Sequence, residues 1–223
     1  MTTTGTPQSG ELRLQAALYA LTAVTGLVDA ASYLGLGRVF TALMTGNVVF
    51  LGFGIARADR LPVAPSIAAL VAFLTGAVLG GKLLARGLNT ARLRRSLLLG
   101  TALLAAAALV AAGTEASRGP ARYVVIAVLA VSMGVQSATV RHLARADLTT
   151  TVLTLTLTGL AADSTLAGGT NPRVPRRLGS VATMLAGALT GALLLRIGLA
   201  WPLVAAALLG IVAIVLARVP DHG

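Results

Sequence analysis

Apolar runs of about twenty residues, the length a helix needs to cross a bilayer, recur from residue 14 to residue 219 between short arginine-bearing links. They occupy residues 14–36, 39–56, 66–84, 96–112, 121–140, 147–164, 180–195 and 199–217. Two runs differ from the rest. The run at 39–56 is short and interrupted by Thr41, Thr45, Gly46 and Asn47, and the run at 147–164 accumulates Thr149, Thr150, Thr151, Thr154, Thr156 and Thr158. The pattern predicts an all-α fold, a polytopic transmembrane helix bundle forming a single membrane domain over residues 1–223 with a polar N-terminal tail at 1–12. Six spanning helices plus two short broken or re-entrant segments are preferred; eight spanning helices are the alternative.

The two halves of the pattern match. Gly26 aligns with Gly134, Asp29 with Ser137, Thr45 with Thr154, Asn47 with Thr156, and the pair Gly76/Gly80 with Gly187/Gly191. The offset drifts from 108 (Gly26 to Gly134) to 111 (Gly76 to Gly187), as a duplication with a few inserted residues would. A two-fold internal repeat over 13–112 and 121–217 is therefore expected. Gly-xxx-Gly spacing also lets helix backbones approach closely in lipid.

Charge bears on the number of crossings. With eight crossings the 18 basic residues divide evenly between the two sides. With six, one side collects twelve: Arg13, Lys82, Arg86, Arg92, Arg94, Arg95, Arg141, Arg145, Arg173, Arg176, Arg177 and Arg218. The positive-inside tendency favours the uneven arrangement and puts the richer side, with both termini, in the cytoplasm. Three crossings per half would give the halves inverted topology, the arrangement in which discontinuous helices meet around a midplane solute.

Composition removes several function classes. Hydrophobic residues make up 56% and charged residues 11%, with a mean hydropathy of +0.86, so a soluble domain is excluded. The net charge of +11 lies between apolar runs and not along a polar face, which points to lipid headgroups and topology, not nucleic acid. There is no cysteine, and His142 and His222 are the only histidines, so thiolate and histidine metal sites are not expected. No GxSxG, P-loop, HExxH or paired-carboxylate pattern occurs; an enzyme is not expected, nor a cofactor. The N-terminus lacks the features of a signal peptide.

The candidate chemistry lies in residues 26–47, GLVDAASYLGLGRVFTALMTGN. A carboxylate in hydrocarbon costs about 2.5–3.5 kcal/mol even on lenient scales, so Asp29 implies a polar pocket, as a proton-titrating or cation-coordinating group. The competing reading pairs it with Arg141 or Arg38, or has it cap a half-helix. Ser32, Tyr33, Thr45, Gly46 and Asn47 are the expected neighbours, because Gly46 lets the backbone leave a helix and Thr and Asn can satisfy freed groups or a solute. In the second half Gln136 and Ser137 mirror Val28 and Asp29, Thr154 mirrors Thr45, and Arg141 is the candidate charge partner. The threonines at 150, 154 and 158 share a helical face, whereas 154, 156 and 158 alternate as an extended segment would; hydroxyls bonding back within a helix is the default. Asp163 is expected to cap or end its run.

The pattern G-x-x-D-A-x-S-Y-x-x-x-G-x-V-F-x-x-x-M-T-G-N over residues 26–47 resembles that of the YoaK-like family of bacterial inner-membrane proteins, whose function is unknown. The stretch from Gly134, Gln136 and Ala138 through Thr150, Thr151, Thr154, Thr156 and Thr158 is similar to that family's second block. Leu155 stands where that block has glycine, and Gly159-Leu160 where it has an acid followed by leucine. These departures count against solute contact by the second half. The resemblance implies a multi-pass protein of the bacterial inner (cytoplasmic) membrane and supplies no substrate.

The resulting expectation is a small-solute transporter or permease with a central polar site, proton coupling being one option and the solute unidentified. The alternative is a non-transporting membrane scaffold or sensor. Expected partners are membrane lipids, a small molecule or ion, and, as an option, a second copy of the chain.

Overall fold

The computed structural model describes residues 7–56, 62–116, 119–143, 153–170 and 173–217. These form α1 (Pro7–Gly35), α2 (Met44–Ile55), α3 (Val63–Leu84), α4 (Thr90–Gly113), α5 (Gly119–His142), α6 (Leu153–Ala162), α7 (Val174–Leu194) and α8 (Ala200–Leu216), with one 3-10 turn at Thr165–Ala167. No strand occurs among the described residues. Helices dominate because a chain in lipid must bond its own backbone groups within each segment. α1 begins earlier than the apolar pattern predicts: Pro7 presets the first turn, and the helix runs through half of the expected polar tail.

Length separates the crossing helices from the others. α1, α3, α4, α5 and α7 are long and apolar enough to span, and the 17-residue α8 reaches the lower limit. α2 and α6 have 12 and 10 residues, hence lengths of about 18 and 15 Å, well short of about 30 Å of hydrocarbon.

Direction settles the topology. At one end of the bundle Leu14, Leu18 and Leu21 from the start of α1 and Leu93 and Leu97 from the start of α4 pack with Val140 at the end of α5 and Ala213 near the end of α8. At the other end Leu36, Leu104 and Ala107 meet Val125, Ile126 and Leu203. α1 and α4 therefore run one way, α5 and α8 the other. Were every helix a crossing, the three between α1 and α5 would leave those two parallel. One of the three must turn back, and only α2 is too short to cross. These directions fit a folded-back α2 and not the eight-span alternative, and five of the helices are long and apolar enough to cross a membrane.

Packing repeats between the halves. α1 lies on α7 as α5 lies on α3, α1 on α8 as α5 on α4, and α2 on α3 as α6 on α7, while α4 meets α8 and α1 meets α5 across the middle. The backbones touch at equivalent places. A Cβ on Gly26 would lie 2.5 Å from the Met184 carbonyl oxygen, and one on Gly134 would collide with the Phe73 carbonyl. Gly187 meets Ala23 and Gly76 meets Val131 in the same way, which explains the small residues at both crossings.

Candidate functional site

The last two turns of α1 carry Asp29, Ser32 and Tyr33, and the chain then doubles back. Gly37 and Arg38 both take positive φ, 91° and 62°, and the Arg38 N–H donates to the Tyr33 carbonyl at 3.0 Å, which closes the helix end as glycine-terminated helices do. Residues 39–43 return along α1 without helical structure, so their amides and carbonyls need other partners at a depth where water is scarce.

Two side chains supply them. Asp29 lies six residues before the end of α1, about 9 Å below it. Its Oδ1 accepts from the Ala42 N–H at 2.9 Å and the Thr41 N–H at 3.2 Å. Asn47, in the first turn of α2, brackets Phe40: its Oδ1 accepts from the Phe40 N–H at 3.1 Å, and its Nδ2 donates to the Phe40 carbonyl at 2.6 Å. The carboxylate thus sits just before the start of α2, where the helix dipole favours negative charge. Asp29 is 5% exposed and Asn47 wholly buried. Gly46 belongs to the same construction, since a Cβ there would lie 2.7 Å from the Phe40 ring. That ring stacks on Tyr33 at 4.7 Å and lies 6.1 Å from Phe50.

One oxygen is left over. Asp29 Oδ2 is buried without a hydrogen-bond partner, and the buried Thr41 Oγ1 lacks one as well. Asp29 is among the residues lining an open groove of about 260 Å³, with Ala30, Tyr33, Phe40, Leu43 and Met184. The groove is walled almost entirely by carbon, and it is not the enclosed polar cavity that the sequence suggests. Among the described residues no three His, Asp or Glu side chains converge on a metal position.

The expected site residues divide into two groups. Asp29 and Tyr33 line the groove, and Asn47, Gly46 and Ser32, whose hydroxyl bonds the Asp29 carbonyl at 3.3 Å, support it. Thr45 and Thr154 are exposed and lie apart from it. Gln136 is occupied at the α1–α5 contact, where its Nε2 donates to the Leu21 carbonyl and Thr25 Oγ1 at 3.1 and 3.0 Å; Ser137 beside it is half-buried. Arg141 does not balance Asp29. α5 runs antiparallel to α1, so Arg141 lies five residues beyond Gln136 in the direction away from Asp29, exposed at the opposite end. Arg38 is exposed too, and the acid is held by amides instead of a guanidinium. α6 is helical, so the extended alternation of Thr154, Thr156 and Thr158 does not occur, and of these only Thr156 is buried. Thr149, Thr150 and Thr151 lie outside the described residues.

Three contributions escaped sequence reasoning. Phe40 and Met184 form groove walls, and the aromatic step from Tyr33 to Phe40 was the available signal for the first. In the sequence pattern Arg177 stands out only as one of the basic link residues. It is buried, pairs with Asp163 at 2.7 Å and donates to the Gly159 carbonyl at 2.6 Å, tying the end of α6 to α7. Gly159 and Asp163, one helical turn apart, were its signal; Asp163 ends its helix by holding this cation.

A family model described as "Protein of unknown function (DUF1275)" matches residues 17–216. The "UPF0700 transmembrane protein YoaK" of Bacillus subtilis (strain 168) is 34% identical over 140 residues, which cover 62% of this chain and 61% of that protein. No solved structure matches.

Proposed function

This chain belongs to that family of unknown function, and from this premise we propose that it is a small-solute transporter of the bacterial cytoplasmic membrane, with Asp29 as its working group. The observation that carries the reading is the buried Asp29 Oδ2, without a hydrogen-bond partner, in a residue that lines the groove. A buried carboxyl oxygen without a partner is costly, and a proton or a cationic solute group removes that cost. Whatever binds at Oδ2 also acts on Oδ1, whose amide bonds hold residues 41 and 42. Occupancy is thereby linked to the position of the return segment and of α2. The recurrence of the same helix pairings supports a duplicated unit inserted in opposite senses, the architecture of many alternating-access carriers. Ten of the described basic residues lie at the end where α1 begins and three, Arg38, Arg122 and Arg196, at the other, which supports cytoplasmic termini.

A second reading has its own observation. Every bond that Asp29 Oδ1 and the Asn47 amide make to nitrogen or oxygen goes to the main chain, as in a non-transporting scaffold. Vesicles loaded with a pH dye and challenged with a panel of small cations, neutral solutes and anions separate the two. Transport predicts a solute-driven signal that Asp29→Asn abolishes while the variant still inserts. A variant with unimpaired flux, or a protein whose Asp29→Asn form loses only thermal stability, refutes transport.

A further inference from the structure

Resting on that reading of Asp29, we infer that the groove takes a free organic ammonium ion with an apolar body, in preference to a bare metal cation, an anion or a neutral solute. The wall chemistry selects it. One unpartnered carboxyl oxygen lies among apolar and aromatic side chains, and among the described residues none that lines the groove is basic. An anion would meet the acid unscreened, and a neutral solute would leave the buried charge unbalanced. Sodium or potassium would keep only one or two oxygen ligands there, against the six or so that hard cations take. A substituted ammonium brings a balancing charge beside Asp29 and lays its carbon against Leu43, Ala30 and Met184. The stacked rings of Tyr33 and Phe40 add apolar surface to the same space. The open groove of about 260 Å³ has room for a small substituted ammonium ion. Tetraethylammonium is such an ion.

The test measures binding of labelled tetraethylammonium to the full chain in phosphatidylglycerol vesicles. Saturable binding is expected, weakened at least tenfold in Asp29→Asn and resistant to a hundredfold excess of sodium. Leu34→Trp provides a second variant that leaves the acid in place. Leu34 is 62% exposed on the groove's rim, so the protein tolerates the change while the indole covers the opening, and binding should fall at least tenfold. Equal affinity in Asp29→Asn, displacement by sodium, or full binding in Leu34→Trp would overturn the inference. Displacement by added phosphatidylethanolamine would also overturn it, by making a lipid headgroup amine the occupant. Binding without flux removes the transport reading and leaves this inference standing; Asp29-dependent flux of a neutral or anionic solute without ammonium binding does the reverse.

Discussion

Asn47→Ala isolates the device that lets this chain turn back inside the membrane. The side chain bonds both the N–H and the carbonyl of Phe40, in a stretch where no helix can take them over. Each buried group so orphaned costs about 1–3 kcal/mol, which predicts a loss of about 2–6 kcal/mol for the two together. The contact of Nδ2 with the Met44 sulfur, at 3.6 Å, adds little. Asn47→Asp divides the effect: the Phe40 N–H keeps an acceptor while its carbonyl loses a donor and faces a carboxylate, so this variant should be no more stable than alanine. Steric-trap unfolding in bicelles gives the free energy, and maleimide labelling of Thr41→Cys, buried in the native protein, reports release of the segment. Because Asp29 holds the adjacent amides, Asp29→Asn combined with Asn47→Ala should depart from additivity by about 0.5–3 kcal/mol. A loss below about 0.5 kcal/mol for Asn47→Ala, the range of an inconsequential surface change, would refute the reasoning.

The equivalent crossings should respond alike. Gly26→Val and Gly134→Val each force apart backbones already in contact and should cost about 1–3 kcal/mol or more, whereas Gly52→Ala, with open space around it, should be neutral or stabilising in the same unfolding assay. A harmless Gly26→Val would contradict the close approach of α1 and α7. Arg177→Leu should release α6 from α7, read as labelling of a cysteine placed at the buried Thr156; unchanged protection would show that the Asp163 and Gly159 contacts do not hold that helix.

The spans were legible because the length and apolarity of a crossing helix are written directly in composition: the pattern at 66–84 and 121–140 falls within α3 and α5. The Gly76/Gly80 and Gly187/Gly191 pairs were legible for the same kind of reason, since close helix contact demands small residues at fixed spacing. Asp29 was conspicuous as an acid in an apolar run, yet its partners could not be read. They are the amides of Thr41 and Ala42, and a main-chain donor leaves no mark in the sequence. The same holds for Asn47, whose pairing with Phe40 depends on the chain reversing at Gly37 and Arg38. Gln136 and Ser137 were drawn toward the site by alignment with Val28 and Asp29. Gln136 instead bonds Leu21 and Thr25, one to two turns before Asp29 on α1, so alignment in sequence does not bring these residues to the same place.

The reversal at residues 36–43 is tested most directly by single cysteines at Arg38 and Ala56, which flank the return segment and α2, labelled with a membrane-impermeant maleimide from each side of sealed vesicles. The folded-back arrangement predicts that both label from one side, and that cysteines at Arg13 and Arg92 label from the opposite one. Labelling of Arg38→Cys and Ala56→Cys from opposite sides would mean that α2 crosses, and would remove the inverted halves and the placement of Asp29 beside a returning chain.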